Sequence, residues 1–328
     1  MAFCITIPVM KKEGGDDGVK LVAPDYYKEF HCIADQCRHS CCIGWEIDID
    51  EESMAYYRTA AGDIGEKLRA NIDEGEEGAC FRLTEDERCP LLTEKGLCEL
   101  ILEIGEDALC QICDDHPRFR SFFADHTEIG LGLCCEAAGR LILGRTEKTA
   151  LAVLEDDGED DAPDEYEQEI IDLRERLSEI AQDRRVPVRE RAQNLLAAGG
   201  VCLKEIDFPE WADFLEALER LDDSWAERLE GLKKEEGEKA GEQWDTALEQ
   251  LLVYLLYRHL PGAAEDGDVQ ARVGYVYVMW RLVERMFCAA EEKSLEELIE
   301  ISRLYSSEIE YSDENGWEIL EKIRGMTR

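Results

Sequence analysis

The chain has 328 residues and a formal net charge of −40 at pH 7. This length allows a large buried core in one or two domains, and 45% hydrophobic residues is normal for a globular protein. So negative a chain argues against binding to nucleic acid, which needs Lys and Arg, and against anionic membrane surfaces. It suits a cationic partner, such as a lysine-bearing protein surface, and it equally suits a very soluble acidic protein.

Residues 1–20 contain a Gly- and Asp-rich stretch at 14–18 and little that could pack, so we predict a flexible N-terminal segment there. The apolar run before it is too short for a secretory signal and has no basic leader. No stretch approaches the length of a membrane-spanning helix. We therefore expect a cytoplasmic protein without membrane insertion, whose thiols are reduced.

Eleven of the fourteen cysteines lie between Cys32 and Cys135, and this density is the main chemical signal in the sequence. Thiolates are good ligands of zinc and of iron–sulfur clusters, whereas disulfides are rare in the cytosol. Cys110-x-x-Cys113 has chelating spacing, although alone it is also a redox motif. The thiols outnumber the ligands of one zinc ion, which favours an iron–sulfur cluster, foremost 4Fe–4S, or two metal sites, with zinc as the alternative. The candidate ligands are Cys32, Cys37, Cys41, Cys42, Cys89, Cys98, Cys110, Cys113 and Cys135.

The elements around these cysteines are predicted to be short. The alternation of Trp45, Ile47 and Ile49 with acidic residues predicts a strand, and a helix is expected over 51–61. Residues 62–78 are Gly- and acid-rich and predict a loop. Segments 79–83 and 90–92 are expected to pair as a hairpin, and a helix is predicted over 136–151.

Residues 155–165 are mostly acidic and are predicted to be a solvated linker between two domains, 21–154 and 166–328. Beyond the linker the apolar residues recur at helical spacing. Helices are expected over 166–180, over 188–198 before Gly199-Gly200, over 244–260 and over 273–289, followed by two shorter ones. The predicted fold class is mainly α: an N-terminal cysteine-rich metal-binding lobe with a few short strands, packed on a C-terminal all-helical lobe.

The cysteines recur with particular flanking residues: Pro24-x-Tyr26-Tyr27, Phe30-x-Cys32, Cys37, Cys41-Cys42-x-x-Trp45-x-Ile47-x-Ile49, Cys89-Pro90-Leu91-Leu92, Gly96-Leu97-Cys98, Gly105-Glu106, Leu109-Cys110-x-x-Cys113, His116-Pro117-Arg118 and Leu133-x-Cys135. In this pattern, which is densest over 21–145, the chain resembles the flagellin lysine N-methylase family and, more loosely, a wider group of zinc- or iron-chelating cysteine-cluster domains. Two features differ from the pattern expected of that family. Cys134 precedes Cys135, which leaves the last ligand open between these two cysteines, and Asp114-Asp115 follow the Cys pair.

The resemblance implies an enzyme that transfers a methyl group from S-adenosylmethionine to lysine side chains of flagellin. The chain has no Gly-x-Gly-x-x-Gly after a strand and no Cys-x3-Cys-x2-Cys run, so neither a cofactor pocket nor catalytic residues can be named from motifs. The alternative is a non-catalytic iron–sulfur or zinc scaffold. Nothing in the sequence indicates an oligomeric state.

Several polar or aromatic side chains near the cysteines have two possible roles. His116 and Arg118 could contact a carboxylate, or Arg118 could pair with a neighbouring acid. An aromatic wall would attract a lysine ammonium, or it could pack against the cysteine cluster. The aromatic candidates are Tyr26 and Tyr27, the alternative ligands are His31 and His39, and the candidate bases on the predicted strand are Glu46, Asp48 and Asp50.

Overall fold

The computed structural model describes residues 20–45, 47–75, 78–156, 162, 164–234 and 240–327. These residues form two compact units. The first unit is His31–Arg118, and the second unit contains residues 20–30 and 119–327. The predicted flexible segment 1–20 lies outside the described residues except for Lys20.

Seven strands and fourteen α-helices are assigned within the described ranges. The strands are β1 (Leu21–Pro24), β2 (Asp48–Ile49), β3 (Ile72–Glu74), β4 (Ala79–Phe81), β5 (Arg118–Phe122), β6 (Thr127–Leu131) and β7 (Leu151–Glu155). The helices are α1 (Glu51–Thr59), α2 (Gly62–Ala70), α3 (Glu99–Glu103), α4 (Gln111–Asp115), α5 (Glu136–Leu143), α6 (Glu165–Ala181), α7 (Val188–Ala198), α8 (Phe208–Glu216), α9 (Asp223–Lys233), α10 (Asp245–His259), α11 (Ala263–Asp266), α12 (Val269–Ala289), α13 (Leu295–Tyr305) and α14 (Asp313–Arg324).

The first unit is built on a small antiparallel sheet with strand order β2-β4-β3. Its own core contains Tyr57 of α1, Leu68 of α2 and Phe81 of β4, all nearly inaccessible to solvent. Two local predictions were wrong here. Segment 62–78, predicted as a loop, contains α2 and β3, and Ala79–Phe81 pairs with β2 and β3 rather than with 90–92.

The second unit combines a four-stranded sheet, in the order β5-β6-β1-β7, with helices α5 to α14. β1 runs parallel to β6 and antiparallel to β7, with Leu21 opposite Thr127 and Pro24 opposite Leu151. The helix predicted over 136–151 ends at Leu143, and its last predicted residue begins β7.

Helices α10 and α12 form the centre of the second unit and are buried on almost every side, as expected of helices that are apolar all round. The indole Nε1 of Trp280 on α12 donates a hydrogen bond to the carbonyl oxygen of Leu248 on α10, at 2.8 Å. The prediction of a mainly α protein with few short strands is confirmed. None of the helices in the described ranges combines the length and apolar character needed to cross a bilayer.

The segment predicted to link two domains lies within the second unit. The last residue of β7, Glu155, is the first residue of this segment, and the first residue of α6, Glu165, is its last. Residues 157–161 and 163 are outside the described residues. The strands before the segment and the helices after it belong to the same unit. β1, β6 and β7 share a sheet, and Glu128 of β6 and Val22 of β1 are hydrogen-bonded to Arg174 of α6 and Tyr257 of α10.

Candidate metal centre

Five of the predicted cysteine ligands belong to one hydrophobic core, that of the first unit. Cys89 and Cys110 are buried, with 7% and 1% of their surface exposed. Cys42, Cys98 and Cys113 are partly buried and pack against the same core. We call these five residues the thiol cluster. The fold therefore brings together thiols that are up to 71 positions apart in sequence, the separation of Cys42 and Cys113.

Backbone hydrogen bonds join the segments that carry the thiol cluster. The amide of Cys89 donates to the carbonyl oxygen of Cys42 at 2.8 Å, and Cys98 forms an isolated bridge with Leu92. Cys110 immediately precedes α4, and the amide of Cys113 donates to the carbonyl oxygen of Cys110 at 2.9 Å. Because each segment is fixed by main-chain bonds, the cysteine positions follow from the fold of the unit.

Asp50 fixes the segment that carries Cys110 and Cys113. One carboxylate oxygen accepts from the amide of Ser53, capping α1, and the other accepts from the amide of Gln111 at the start of α4, both at 2.9 Å. Burial alone would raise the pKa of Asp50, but the hydrogen bonds from Gln111 and Ser53 lower it below its usual value. The carboxylate of Asp50 thus connects α1 with α4, whose first residue, Gln111, is 61 positions later in the chain.

We expect Asp50→Ala to lower the free energy of unfolding of the first unit by about 1–3 kcal/mol, because two amides lose a charged acceptor. A carboxyl with a lowered pKa stabilises the fold above its unfolded pKa and loses that effect as the pH falls through its folded pKa. The difference between wild type and variant should therefore shrink in acid. Urea denaturation at several pH values measures it, with Glu66→Ala, an exposed change on α2, as the control. Equal effects from both variants would contradict the capping role.

The thiols of the cluster influence one another's ionisation. The hydrogen bond from Cys41 lowers the pKa of Cys42 to about 7, and one from Cys113 lowers the pKa of Cys110. Burial, together with the charges of Cys42, Cys98 and Cys110, raises the pKa of Cys89 to about 12. Negative charge on one sulfur of the cluster therefore disfavours ionisation of its neighbours, and a bound cation would favour the thiolate forms.

Among the residues that the structure describes, no three or more His, Cys, Asp and Glu side chains stand ready-made in a metal-binding arrangement. The chemistry of the thiol cluster nevertheless fits a soft metal, since five sulfur donors share one core and an iron–sulfur cluster needs four.

The other predicted ligands are outside this core, although Cys41 forms a side-chain hydrogen bond with Cys42. Cys32 and Cys41 are exposed and Cys37 is partly exposed, all on the segment that leads to Cys42. Cys37 donates from its thiol to the carbonyl oxygen of His39 at 3.2 Å. Cys135 lies in the second unit, where it precedes α5.

The remaining polar candidates have the following environments. Burial lowers the pKa of His116 to about 4, with a further contribution from Arg118, and its ring centroid lies 6.3 Å from that of Trp45. Arg118 donates to the carbonyl oxygen of Asp114. His31 and His39 are exposed.

Of the aromatic and acidic candidates, Tyr26 is buried in the core of the second unit and Tyr27 packs against that core. Asp48 is in β2 opposite Cys80. Glu46 lies outside the described residues.

The sequence analysis missed a buried polar cluster in the second unit, centred on Glu310. Its carboxylate accepts hydrogen bonds from the Tyr254 hydroxyl and His259 Nε2, each at 2.6 Å, and from the Ser306 hydroxyl at 2.5 Å. The Arg258 guanidinium lies 3.6 Å from the carboxylate and donates to the Glu310 carbonyl oxygen. Burial opposes ionisation, but Arg258, His259 and Ser306 hold the pKa of Glu310 at about 2.

This cluster coincides with an unusual backbone element. Ser306–Glu310 forms a π-helical turn directly after α13, and such turns occur frequently at functional sites. The available sequence signal was the spacing of Tyr254 and Arg258, four positions apart in the largely apolar second half of α10. Polar residues at core-facing positions need buried partners, and this pair finds them in Glu310.

Three curated proteins are similar to part of this chain. Two, both named Lysine-N-methylase, come from Salmonella typhimurium and Salmonella choleraesuis; each is 28% identical over 143 residues, covering 41% of this chain and 35% of the relative. Flagellar biosynthetic protein FliU from Salmonella muenchen is 28% identical over 142 residues, covering 40% of this chain and 82% of that protein.

The chain therefore matches about a third of the length of the lysine N-methylases. No family model matches it, and no solved structure does. The comparisons confirm the resemblance to the flagellin lysine N-methylase family.

Proposed function

We propose that this protein is a lysine N-methylase that transfers a methyl group from S-adenosylmethionine to lysine side chains of flagellin and that its first unit carries a cysteine-ligated metal centre. Two of its relatives are named Lysine-N-methylase and a third is named for flagellar biosynthesis. The observation that carries the metal centre is the convergence of five cysteines in one core. We place the reaction in the cytoplasm.

The reaction makes physical demands that the chain can meet in part. The lysine must lose its proton before its nitrogen can attack, and the nitrogen must be held in line with the sulfonium methyl group. A net charge of −40 attracts a lysine-bearing protein over a long range.

The ligands of the proposed centre come from Cys42, Cys89, Cys98, Cys110 and Cys113, of which an iron–sulfur cluster would use four. We propose a 4Fe–4S cluster, with zinc as the alternative. When bound, the centre would tie together the cysteine-bearing segments and neutralise their thiolates.

A second candidate function is a non-catalytic metal-binding scaffold. The match covers only 35% of the two lysine N-methylases, so the segments of those relatives needed for catalysis need not have counterparts here.

The test is transfer of isotope-labelled methyl groups from S-adenosylmethionine to purified flagellin, with modified lysines located by mass spectrometry. The enzyme should label flagellin but not flagellin whose amines have been acetylated. Cys110→Ser should lower the rate, whereas Cys202→Ser, at an exposed cysteine in the second unit, should not. If metal-loaded wild-type protein labels no lysine, the result contradicts the methylase proposal and supports the non-catalytic scaffold.

A further inference from the structure

Tyr57 on α1 is a polar residue of the first unit that the proposed function does not use. Its side chain has no exposed surface and lies in the same core as the thiol cluster. The ring packs against that of Phe81, with 6.1 Å between the centroids. A phenylalanine would fill this space without a polar group that needs a buried partner. The hydroxyl group therefore indicates a role for Tyr57 beyond packing.

This hydroxyl group lies beside the main chain that leads to Cys110. It donates to the carbonyl oxygen of Ala108, two residues before Cys110, at 2.7 Å. On the other side of Cys110, the amide of Gln111 donates to the carboxylate of Asp50, the residue that caps α1. α1 and its cap thus fix the chain both before and after Cys110, and they determine where its sulfur lies.

The Tyr57 hydroxyl is also a hydrogen-bond partner of the Cys110 side chain. It has one proton to share between two acceptors, the carbonyl oxygen of Ala108 and the sulfur of Cys110. A neutral thiol is a weak acceptor, so in that state the hydroxyl proton stays with Ala108. A thiolate is a charged acceptor, and hydrogen bonds to charged acceptors are roughly twice as strong as neutral ones. Ionisation of Cys110 on metal binding therefore favours donation to sulfur.

Main-chain donors meet two other sulfurs of the thiol cluster. The amide of Leu91 is a hydrogen-bond partner of Cys89, and the amides of Leu100 and Ile101 are partners of Cys98. Hydrogen bonds to the sulfurs are one of the means by which proteins tune iron–sulfur centres, because they disperse the negative charge of the thiolates. Tyr57 adds a side-chain donor to this set, and a side-chain donor can be removed by substitution.

We propose that Tyr57 is a positioning residue of the metal centre, and that its hydroxyl donates to the sulfur of Cys110 when that thiolate holds the metal. The inference rests on the proposed metal centre and assigns a residue outside its ligand set. The hydrogen bond disperses charge from the sulfur and favours the metal-bound form of Cys110. In an iron–sulfur cluster it also raises the reduction potential, because it favours the more negative, reduced state.

Titration of the metal-free full chain with Co²⁺ tests the proposal, because thiolate-bound cobalt has a sulfur-to-metal charge-transfer absorption band. Tyr57→Phe removes only the hydroxyl and should weaken Co²⁺ binding by about tenfold, the lower end of the effect of a lost outer-shell partner. The band should also move to longer wavelength, because a sulfur without this hydrogen bond gives up electron density more readily. Tyr56→Phe is the matched control, since Tyr56 is the preceding residue on α1 and is 43% exposed, and it should behave as wild type.

A second variant separates donation to sulfur from a purely structural role of the Ala108 bond. Incorporation of 3-fluorotyrosine at position 57 keeps the hydroxyl in place and makes it a stronger donor, so the band should move to shorter wavelength. Weaker binding of Tyr57→Phe with the band unmoved in both variants would mean that the hydroxyl only supports the fold, and the proposal would be wrong.

The remaining outcomes separate this inference from the proposed metal centre. In protein that retains an iron–sulfur cluster, the reduction potential of Tyr57→Phe should be lower than that of Tyr56→Phe. Metal-loaded Tyr57→Phe with the affinity, band position and potential of the wild type would overturn the role of Tyr57 alone. A wild-type chain that holds neither iron nor Co²⁺ nor zinc would overturn the metal centre and this inference with it.

Discussion

Glu310→Ala is expected to lower the free energy of unfolding of the second unit by about 3–5 kcal/mol, the range seen when one partner of a buried ion pair is removed. The carboxylate has no exposed surface and accepts from Tyr254, His259 and Ser306. Without it the charge of Arg258 stays buried with only ring faces and neutral acceptors around it. Urea denaturation measures the loss, and Glu318→Ala, at an exposed position on α14, is the control.

The same carboxylate gives this prediction a pH dependence. Its folded pKa of about 2 lies below the usual value of 4.5. Glu310 therefore stabilises the fold fully above its unfolded pKa and loses that contribution as the pH falls through its folded pKa. The gap between wild type and Glu310→Ala should be constant near neutrality and close in strong acid. A loss no larger than that of Glu318→Ala would show that the cluster is not a stabilising centre.

Cys110→Ser is expected to remove most of the bound metal from the protein. Loss of a ligand should weaken metal binding by more than the about 10–100-fold seen when a residue that only hydrogen-bonds a ligand is lost. The hydroxyl of serine is a harder and far weaker acid than a thiol, so it replaces the sulfur poorly. Metal content per chain, measured after anaerobic purification, reports the effect.

The controls for this prediction come from the other unit. Cys202 is exposed there and Cys288 is buried there, so Cys202→Ser and Cys288→Ser should leave the metal content unchanged. Cys89→Ser should act as Cys110→Ser does, because both thiols are in the thiol cluster. Equal metal loss in all four variants would mean that general destabilisation, rather than ligand loss, releases the metal.

The long helices could be predicted from sequence because their apolar spacing is local information. α6 was expected over 166–180 and spans Glu165–Ala181, and α7 has the predicted bounds of 188 and 198. α10 was expected over 244–260 and spans Asp245–His259. In each case one apolar face or an apolar helix of sufficient length determines the structure without reference to distant residues.

The small sheets and α2 could not be predicted because partners far away in sequence decide them. The start of β7 was predicted as the end of a helix. It forms a strand because it pairs with β1, about 130 positions earlier in the chain. α2 is rich in Gly and charge, and it is anchored as a helix by Leu68, buried in the core of the first unit, and by Ile64, which packs against that core.

The candidate sites divide along the same line. The density of cysteines in the sequence indicated a metal centre. Which five of these cysteines share one core depends on the fold and could not be predicted. The Glu310 cluster had no motif, since its residues come from α10 and from a turn more than 50 positions later in the chain.

The most direct test of the central claim is anaerobic purification followed by an absorption spectrum and analysis of iron, sulfide and zinc. The proposal predicts a brown protein that absorbs broadly near about 400 nm and holds about four irons per chain, with matching sulfide. A colourless protein with stoichiometric zinc would show that the thiol cluster binds zinc and not an iron–sulfur cluster. A well-folded protein free of both metals would contradict the claim that the thiol cluster is a metal centre.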